Sequence, residues 1–266
     1  GVVIALALWG LVVAGYMGMR TLGIGPAAPL IARGLLEERE RVILADFANH
    51  SPDSLLGGAV TEAFRVDLTQ SPAIRLLAPG QMREAMVRMR REPGGSLDLE
   101  FARELAVREG VKAVIGGEIN TLGSAYVLSV KLFSSESGAE LAAYRETAED
   151  RAAIIGAVDR LSKRLRAKIG ESLSSVRQSR PLPSVTTESL EALELFASAM
   201  EMGRRGNRAA AIPVLERAVS LDTTFAGAYR ALGIYYLNDA GNPGVAQRNT
   251  ERAFRFSDRL PEPERL

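Results

Sequence analysis

Residues 1–19 form an uncharged apolar run with the sequence GVVIALALWGLVVAGYMGM. At about 1.5 Å per residue, this run is just long enough to cross a hydrocarbon core about 30 Å thick. Arg20 follows the run, and an arginine at that point can extend to the lipid headgroups. We therefore predict a transmembrane helix over residues 1–20. The chain opens inside this run without a start methionine, so we expect it to be a piece of a longer protein.

Two other structures are compatible with an apolar run of this length. A secretory signal peptide would need a charged region before a shorter apolar core, and no charged residue precedes this one. A buried core helix would show a polar face, and the run has none. Both patterns fit the run less well than a transmembrane helix.

Charge and composition exclude several classes of function. The formal net charge is +1, so the chain lacks the basic surface that nucleic-acid binding requires. It contains no cysteine, which excludes disulfides and thiolate chemistry, and one histidine is too few for a usual zinc site. We therefore expect no nucleic-acid partner, no metal and no cofactor bound by these residues.

Breaker residues and hydrophobic spacing divide the remainder into four predicted parts. These are a juxtamembrane linker over 21–38, an α/β domain over 39–178, a Pro-rich extended linker over 179–187 and helical repeats over 188–259. In the α/β domain the elements follow the order β-α-β-α-α-β-β-β-α. Early strands separated by helices predict parallel pairing, and the last three strands, joined by tight turns, predict antiparallel pairing. The expected fold class is a mixed sheet with helices packed on it.

The last part of the chain is periodic. Tyr229-x-x-Leu232-Gly233-x-x-Tyr236 has tetratricopeptide spacing, and small residues recur at matching positions about 34 residues earlier. This predicts an all-α pair of tetratricopeptide repeats, which can continue beyond residue 266. The first helices of such repeats bind partners on their concave face, so we predict a protein or peptide partner at these positions: Phe196, Met200, Arg204, Arg230, Ile234 and Asn238. The alternative is that the apolar members of this set pack on the α/β domain.

A second candidate site follows the first strand. Asp46, Asn49 and His50 lie in a loop at the carboxyl end of that strand, where sites form in open α/β sheets. A carboxylate beside the only histidine is a combination used in acid–base chemistry. The alternative is structural, since loop Asp and Asn residues commonly cap the following helix. We therefore keep this loop as a ligand-loop hypothesis.

The order of these parts resembles a known family. The stretches that carry the resemblance are Met19–Pro26, Glu37–Phe47, Gly116–Ile119 and Tyr126–Leu128, followed by the repeats. Together they are similar to the region C-terminal to the kinase domain in bacterial membrane serine/threonine protein kinases, and the α/β part also resembles the N-terminal domain of the TolB family. The resemblance implies an upstream cytoplasmic kinase, to which ATP and Mg would belong. It also implies that residues after Arg20 lie on the periplasmic side.

None of the kinase's catalytic motifs occurs in this chain, so no catalytic residue is carried over. We therefore expect a membrane-anchored, non-catalytic sensor or protein-interaction region of a single-pass membrane protein, which binds its partner through the repeats. One alternative is an envelope assembly module that oligomerises through the α/β domain. The other is an enzyme with a site at Asp46 and His50.

Overall fold

The structure is a computed structural model that describes residues 9–10, 13–15, 18, 28–92 and 94–265. Its strands are β1 Glu40–Leu44, β2 Ala48–Asn49, β3 Ile74–Leu76, β4 Ala113–Leu122, β5 Ala125–Ser134 and β6 Glu140–Ala148. They form one sheet in the order β3-β1-β4-β5-β6, with the short β2 paired to β4. The strand β1 is parallel to β3 and β4, whereas β4, β5 and β6 are antiparallel. This is the mixed sheet that the connection lengths predict, with β2 added.

Helices cover the sheet on both faces. On one face lie α1 Leu56–Thr69 and α4 Ile154–Ile169, which bury their apolar sides against β1, β4 and β5. On the other lie α2 Pro79–Arg88 and α3 Leu99–Arg108, which form a second, smaller core. Close packing at β4 depends on two glycines. A Cβ at Gly116 would lie 2.8 Å from Leu99 Cδ1, and a Cβ at Gly117 would overlap the ring of Phe47.

The segment after α4 is not extended as predicted. Apolar spacing predicts that the last helix of the α/β domain covers about residues 150–176, but this helix ends at Ile169, and Gly170 follows with a φ of +149°. Two short helices come next, α5 Leu173–Gln178 and α6 Leu182–Val185. Leu182 and Val185 are buried in the main core, and this burial stabilises a helical turn in this part of the predicted linker.

Four α-helices follow: α7 Leu190–Arg204, α8 Arg208–Leu221, α9 Ala226–Asn238 and α10 Pro243–Arg255. Two short 3-10 helices, Ser257–Arg259 and Glu262–Glu264, complete the described chain. They pack as two hairpins, α7 on α8 and α9 on α10, and α8 also contacts α9. Gly203 lets the ring of Tyr235 approach α7, where any Cβ would overlap its hydroxyl. The first hairpin then packs on the sheet layer through contacts between α7 and α1.

The predicted fold class is corrected in two respects. The predicted transmembrane helix over 1–20 lies largely outside the described residues, and none of the helices that the structure does describe is long and apolar enough to cross a membrane. The single-pass location, with the residues after Arg20 outside the cytoplasm, is corrected with it. The helices after residue 190 are also not a separate repeat pair, because one continuous apolar cluster joins residues such as Leu44 and Phe64 to Leu193 and Leu232.

Candidate functional site

A cleft of about 620 Å³ lies between the sheet layer and the helix hairpins. Its sheet-side wall comes from the loop after β1, from α1 and α2, and from residues 94–97. Its opposite wall comes from α7 and α9. The volume falls within the range of about 300–1,000 Å³ that is usual for ligand sites. The carboxyl end of β1 and the hairpin face therefore open onto one cavity.

Apolar side chains line much of this cleft, among them Phe47, Met82, Met86, Met200 and Ile234. Methionine is unbranched and polarisable, so a surface containing three of them can adapt to differently shaped apolar groups. Ile234 remains 47% exposed at the lip. An exposed aliphatic side chain beside a concave apolar wall is typical of a surface that a ligand covers.

The positions predicted to bind a partner divide into two groups. Met200, Arg204, Ile234 and Asn238 all line the cleft. Phe196 does not, because it is buried in the core with its ring centroid 4.9 Å from that of Phe225. Arg230 does not either, since its Nη2 donates to Glu264 Oε2 at 2.5 Å. The first predicted position on each helix thus lies outside the cleft, and the two later positions, one and two turns further along α7 and α9, line it.

The predicted ligand loop is held by structural hydrogen bonds. Asp46 and Asn49 both line the cleft. The Leu97 backbone N–H donates to Asp46 Oδ2 at 2.7 Å, which fixes residues 96–97 against the end of β1. The Ser51 backbone N–H donates to Asn49 Oδ1 at 3.0 Å, and Asn49 Nδ2 donates to the Asp53 carbonyl at 2.6 Å. The side chain of His50 is exposed and lies outside the cleft lining. This geometry gives no support to an acid–base pair of Asp46 and His50.

Most charged groups in the cleft are paired. Arg65 Nε lies 3.1 Å from Glu62 Oε2, and Glu201 Oε1 lies 2.5 Å from Nη2 of Arg205, which is outside the cleft. Arg208 Nη1 lies 3.6 Å from Asp239 Oδ1. Two cleft arginines, Arg83 on α2 and Arg204 at the end of α7, form neither an ion pair nor a side-chain hydrogen bond with any other described residue. Asp46 is the one cleft carboxylate without an ion pair among the described residues, so the two arginines leave the cleft with an excess of positive charge.

Tyr235 contributes a buried phenol to the same wall. Burial raises the pKa of the Tyr235 hydroxyl above its usual value, and the positive charges of Arg208 and Arg204 oppose that shift. The pKa is raised overall, so the hydroxyl stays protonated at neutral pH and presents a neutral polar group to a ligand. Sequence reasoning did not select Tyr235 or Arg83, because neither belongs to a motif and both reach the cleft only through tertiary packing.

One ion cluster, outside the cleft lining, joins the sheet layer to the first hairpin. Arg151 Nη2 lies 2.7 Å from Asp53 Oδ2, in the loop after β2, and 2.6 Å from Glu194 Oε1 on α7. Burial raises the pKa of Glu194, which is almost completely buried. For Asp53 burial acts in the same direction, but hydrogen bonds from Arg151 and the Leu55 backbone outweigh it, and the net pKa is lowered. Arg151 thus fixes the loop to the first hairpin.

Among residues 28–92 and 94–265, no group of three or more His, Asp or Glu side chains is placed to hold a metal ion. The expectation that this chain binds no cofactor remains a prediction. The site chemistry that the structure does show is apolar contact together with guanidinium, amide and phenol groups.

No protein-family model matches this chain, and no curated protein matches it. Several solved structures are similar to part of it. The LpoB C-terminal domain from Salmonella enterica is 18% identical and covers 46% of this chain and 93% of its own, with a TM-score of 0.39. Lipoprotein GNA1162 from Neisseria meningitidis is 15% identical and covers 50% and 98%, with a TM-score of 0.36. The PelC dodecamer from Paraburkholderia phytofirmans is 18% identical and covers 53% and 91%, with a TM-score of 0.32.

The resemblance to the kinase-associated region, and the resemblance to the TolB family that accompanied it, are corrected, because no family model and no curated protein of either kind matches this chain. One matching structure is described as a lipoprotein and one as a dodecamer, and none of the three is described as a kinase or a kinase-associated region. Signal transduction through a fused kinase is therefore unsupported. At TM-scores below 0.5, these likenesses do not indicate a function for this chain.

Proposed function

We propose that this chain is a non-catalytic protein-interaction module that binds an apolar segment of a partner protein in the cleft between the sheet and the hairpins. The observation that carries this proposal is the composition of the cleft. Met200 and Ile234 from the hairpins face Met82 and Phe47 from the sheet side across one cavity of about 620 Å³. Binding an apolar segment removes this apolar surface from water, which is favourable. The methionines can adapt to different side chains of the bound segment.

Selection from a random peptide library displayed on phage tests the proposal. The full chain is the bait, and affinities of the selected peptides are measured by fluorescence anisotropy. The cleft variant is Ile234→Glu, which places a charge at the apolar lip. The control is Leu237→Glu on the same helix, because Leu237 is also exposed, at 58%, but does not line the cleft.

We expect selected peptides to bind Ile234→Glu at least tenfold more weakly than the wild-type chain and to bind Leu237→Glu normally. Both residues are exposed, so neither substitution removes core packing. A library that yields no enriched peptide contradicts the proposal. Peptides that bind both variants as well as the wild-type chain contradict it too, because they would occupy another surface.

A second candidate function is the envelope assembly module that oligomerises through its α/β domain. The observation that favours it is the strand β6, which is nine residues long and stands at the edge of the sheet with no strand beyond it among the described residues. An open edge presents unpaired backbone donors and acceptors to another chain. Light scattering on the full chain tests it, and a monomeric mass at concentrations up to about 100 μM would exclude it.

A further inference from the structure

The unpaired arginines of the cleft come from opposite walls. Arg83 lies on α2, which belongs to the sheet layer, and Arg204 ends α7 in the first hairpin. Arg204 is half-buried and has no counter-ion among the described residues, whereas nearby Arg65 and Arg208 are each paired with a carboxylate. A half-buried guanidinium loses part of its hydration without regaining it from a partner. An anionic group of a ligand could therefore pair with these two guanidinium groups.

The surroundings of these arginines restrict which anion fits. Met82 precedes Arg83 on α2, and Met200 lies one turn before Arg204 on α7, so apolar groups flank both cations. A carboxylate accepts paired hydrogen bonds from a guanidinium and can be attached directly to an apolar residue. We propose that the cleft selects a peptide in which a carboxylate neighbours an apolar side chain, with the carboxylate between Arg83 and Arg204. This inference rests on the proposed function and specifies its ligand.

A peptide can supply that carboxylate from two sources, an Asp or Glu side chain or its own C-terminus. The bound carboxylate would contact both walls of the cleft, so binding would also fasten α2 to the end of α7. Backbone packing already brings the loop that follows α2 to the end of α7, because a Cβ at Gly94 would lie only 2.6 Å from the Arg204 carbonyl oxygen.

The test uses a synthetic array of labelled pentapeptides with Leu, Ile, Met or Phe at four positions. One arm has Glu at a fifth position and an amidated end, and a second has Gln there and a free C-terminus. A third has Gln and an amidated end, so that it carries no carboxylate. We expect at least one carboxylate arm to bind the full chain about tenfold more tightly than the third arm, and the stronger arm identifies the source.

The variants are Arg204→Gln and Arg83→Gln, and each should abolish most of the carboxylate advantage while leaving the third arm unchanged. Because Arg83 is exposed, its variant remains informative if Arg204→Gln folds poorly. The control is Arg217→Gln, which makes the same change in net charge at an exposed position on α8 outside the cleft. Arg217→Gln should bind the carboxylate arms more tightly than the third arm, as the wild-type chain does.

Equal binding of all three arms by the wild-type chain overturns this inference and leaves the proposed function standing. This inference is also overturned if both Arg204→Gln and Arg83→Gln still bind the carboxylate arms more tightly than the third arm. Failure of every arm to bind, if the phage library likewise yields no enriched peptide, overturns the proposed function and this inference together.

Discussion

Three buried charges meet at Arg166, in the interior where α1, α4 and α5 come together. Arg166 Nη1 donates to Asp67 Oδ2 at 3.1 Å, while Nε and Nη2 donate to the two carboxylate oxygens of Glu171 at 2.8 and 2.7 Å. The Arg166 side chain is completely buried. Replacing it would leave two carboxylates without a counter-charge. We expect Arg166→Met to lower the free energy of unfolding by about 3–5 kcal/mol, as measured by urea denaturation at pH 7.

Arg164 provides the control for this substitution, since it lies on the same helix but at the surface. It pairs with Glu146 at 2.8 Å and lies over the ring of Tyr144, and its side chain is 50% exposed. Exposed pairs contribute little, so Arg164→Met should cost about 1 kcal/mol. Equal losses in the two variants would show that the buried cluster contributes no more than a surface pair.

Glu171 makes this cluster sensitive to acid. Burial opposes its charged form, but hydrogen bonds from Arg166, Ser71 and Ser175 outweigh burial, so the pKa of Glu171 lies below its ordinary value of 4.5. Its contribution to stability is complete above about pH 4.5 and is lost as the pH falls through the lower folded pKa. The difference in unfolding free energy between the wild-type chain and Glu171→Gln should therefore shrink between pH 6 and pH 3. A constant difference across that interval would contradict the prediction.

At the scale of elements, the signals that the sequence carries are local ones. Apolar residues alternate along β5, and the glycines at 123 and 138 mark the turns on either side, so both hairpins of the sheet are predictable. The strand β2 is only two residues long and has no period to detect. It forms because the chain pairs with β4 after leaving β1. The helical turn α6 likewise depends on burial of Leu182 and Val185 rather than on propensity.

The loop at residues 94–97 closes the cleft against α7, and Gly94 is the residue that permits this contact. Its φ is +83°, and a Cβ there would lie 2.6 Å from the backbone oxygen of Arg204. Backbone atoms cannot move aside as a side chain can. Gly94→Ala should therefore lower the free energy of unfolding by about 2–4 kcal/mol, from left-handed strain together with overpacking. Urea denaturation measures this loss.

Gly206 separates the two causes. Its φ is +84°, almost the same as at Gly94, but nothing lies within 4 Å of a Cβ built on it. Gly206→Ala should consequently show the strain alone, at about 1–2 kcal/mol. If the two alanine variants are destabilised equally, the loop does not press on α7 as the structure describes.

At the scale of the whole molecule, the cleft is partly readable from the sequence. Met200 and Arg204, and likewise Ile234 and Asn238, are four residues apart on a helix, so helical spacing places each pair on one face. That these faces meet Asp46 and Arg83 across a cleft depends on how α7 packs on α1. This packing joins segments far apart in the chain, and no local pattern encodes it. The sequence therefore selects residues on both walls, Asp46 and Asn49 on the sheet side among them, but it does not predict that the two walls face each other.

The same packing decides how the molecule unfolds. One apolar cluster runs from the sheet into the hairpins, and Arg151 fastens Glu194 on α7 to Asp53 on the sheet side. We expect the full chain to lose both parts in a single transition in urea, with hydrogen exchange in β5 and α9 reporting the same unfolding free energy. Two separated transitions would instead show the independent domains that the Pro-rich linker predicts.

Arg151→Met tests whether the ion cluster contributes to this coupling. The substitution leaves the buried Glu194 carboxylate without its cation, and the expected cost of about 2 kcal/mol lies between that of an exposed and a buried pair. Because the lost contact joins the hairpins to the sheet side, exchange should accelerate in α9 more than in β5. Arg160→Met is the matched control, since Arg160 on α4 is similarly exposed but pairs with Glu146 inside the sheet layer. If the Arg151 variant accelerates exchange equally in both elements, the cluster stabilises the molecule without joining its two parts.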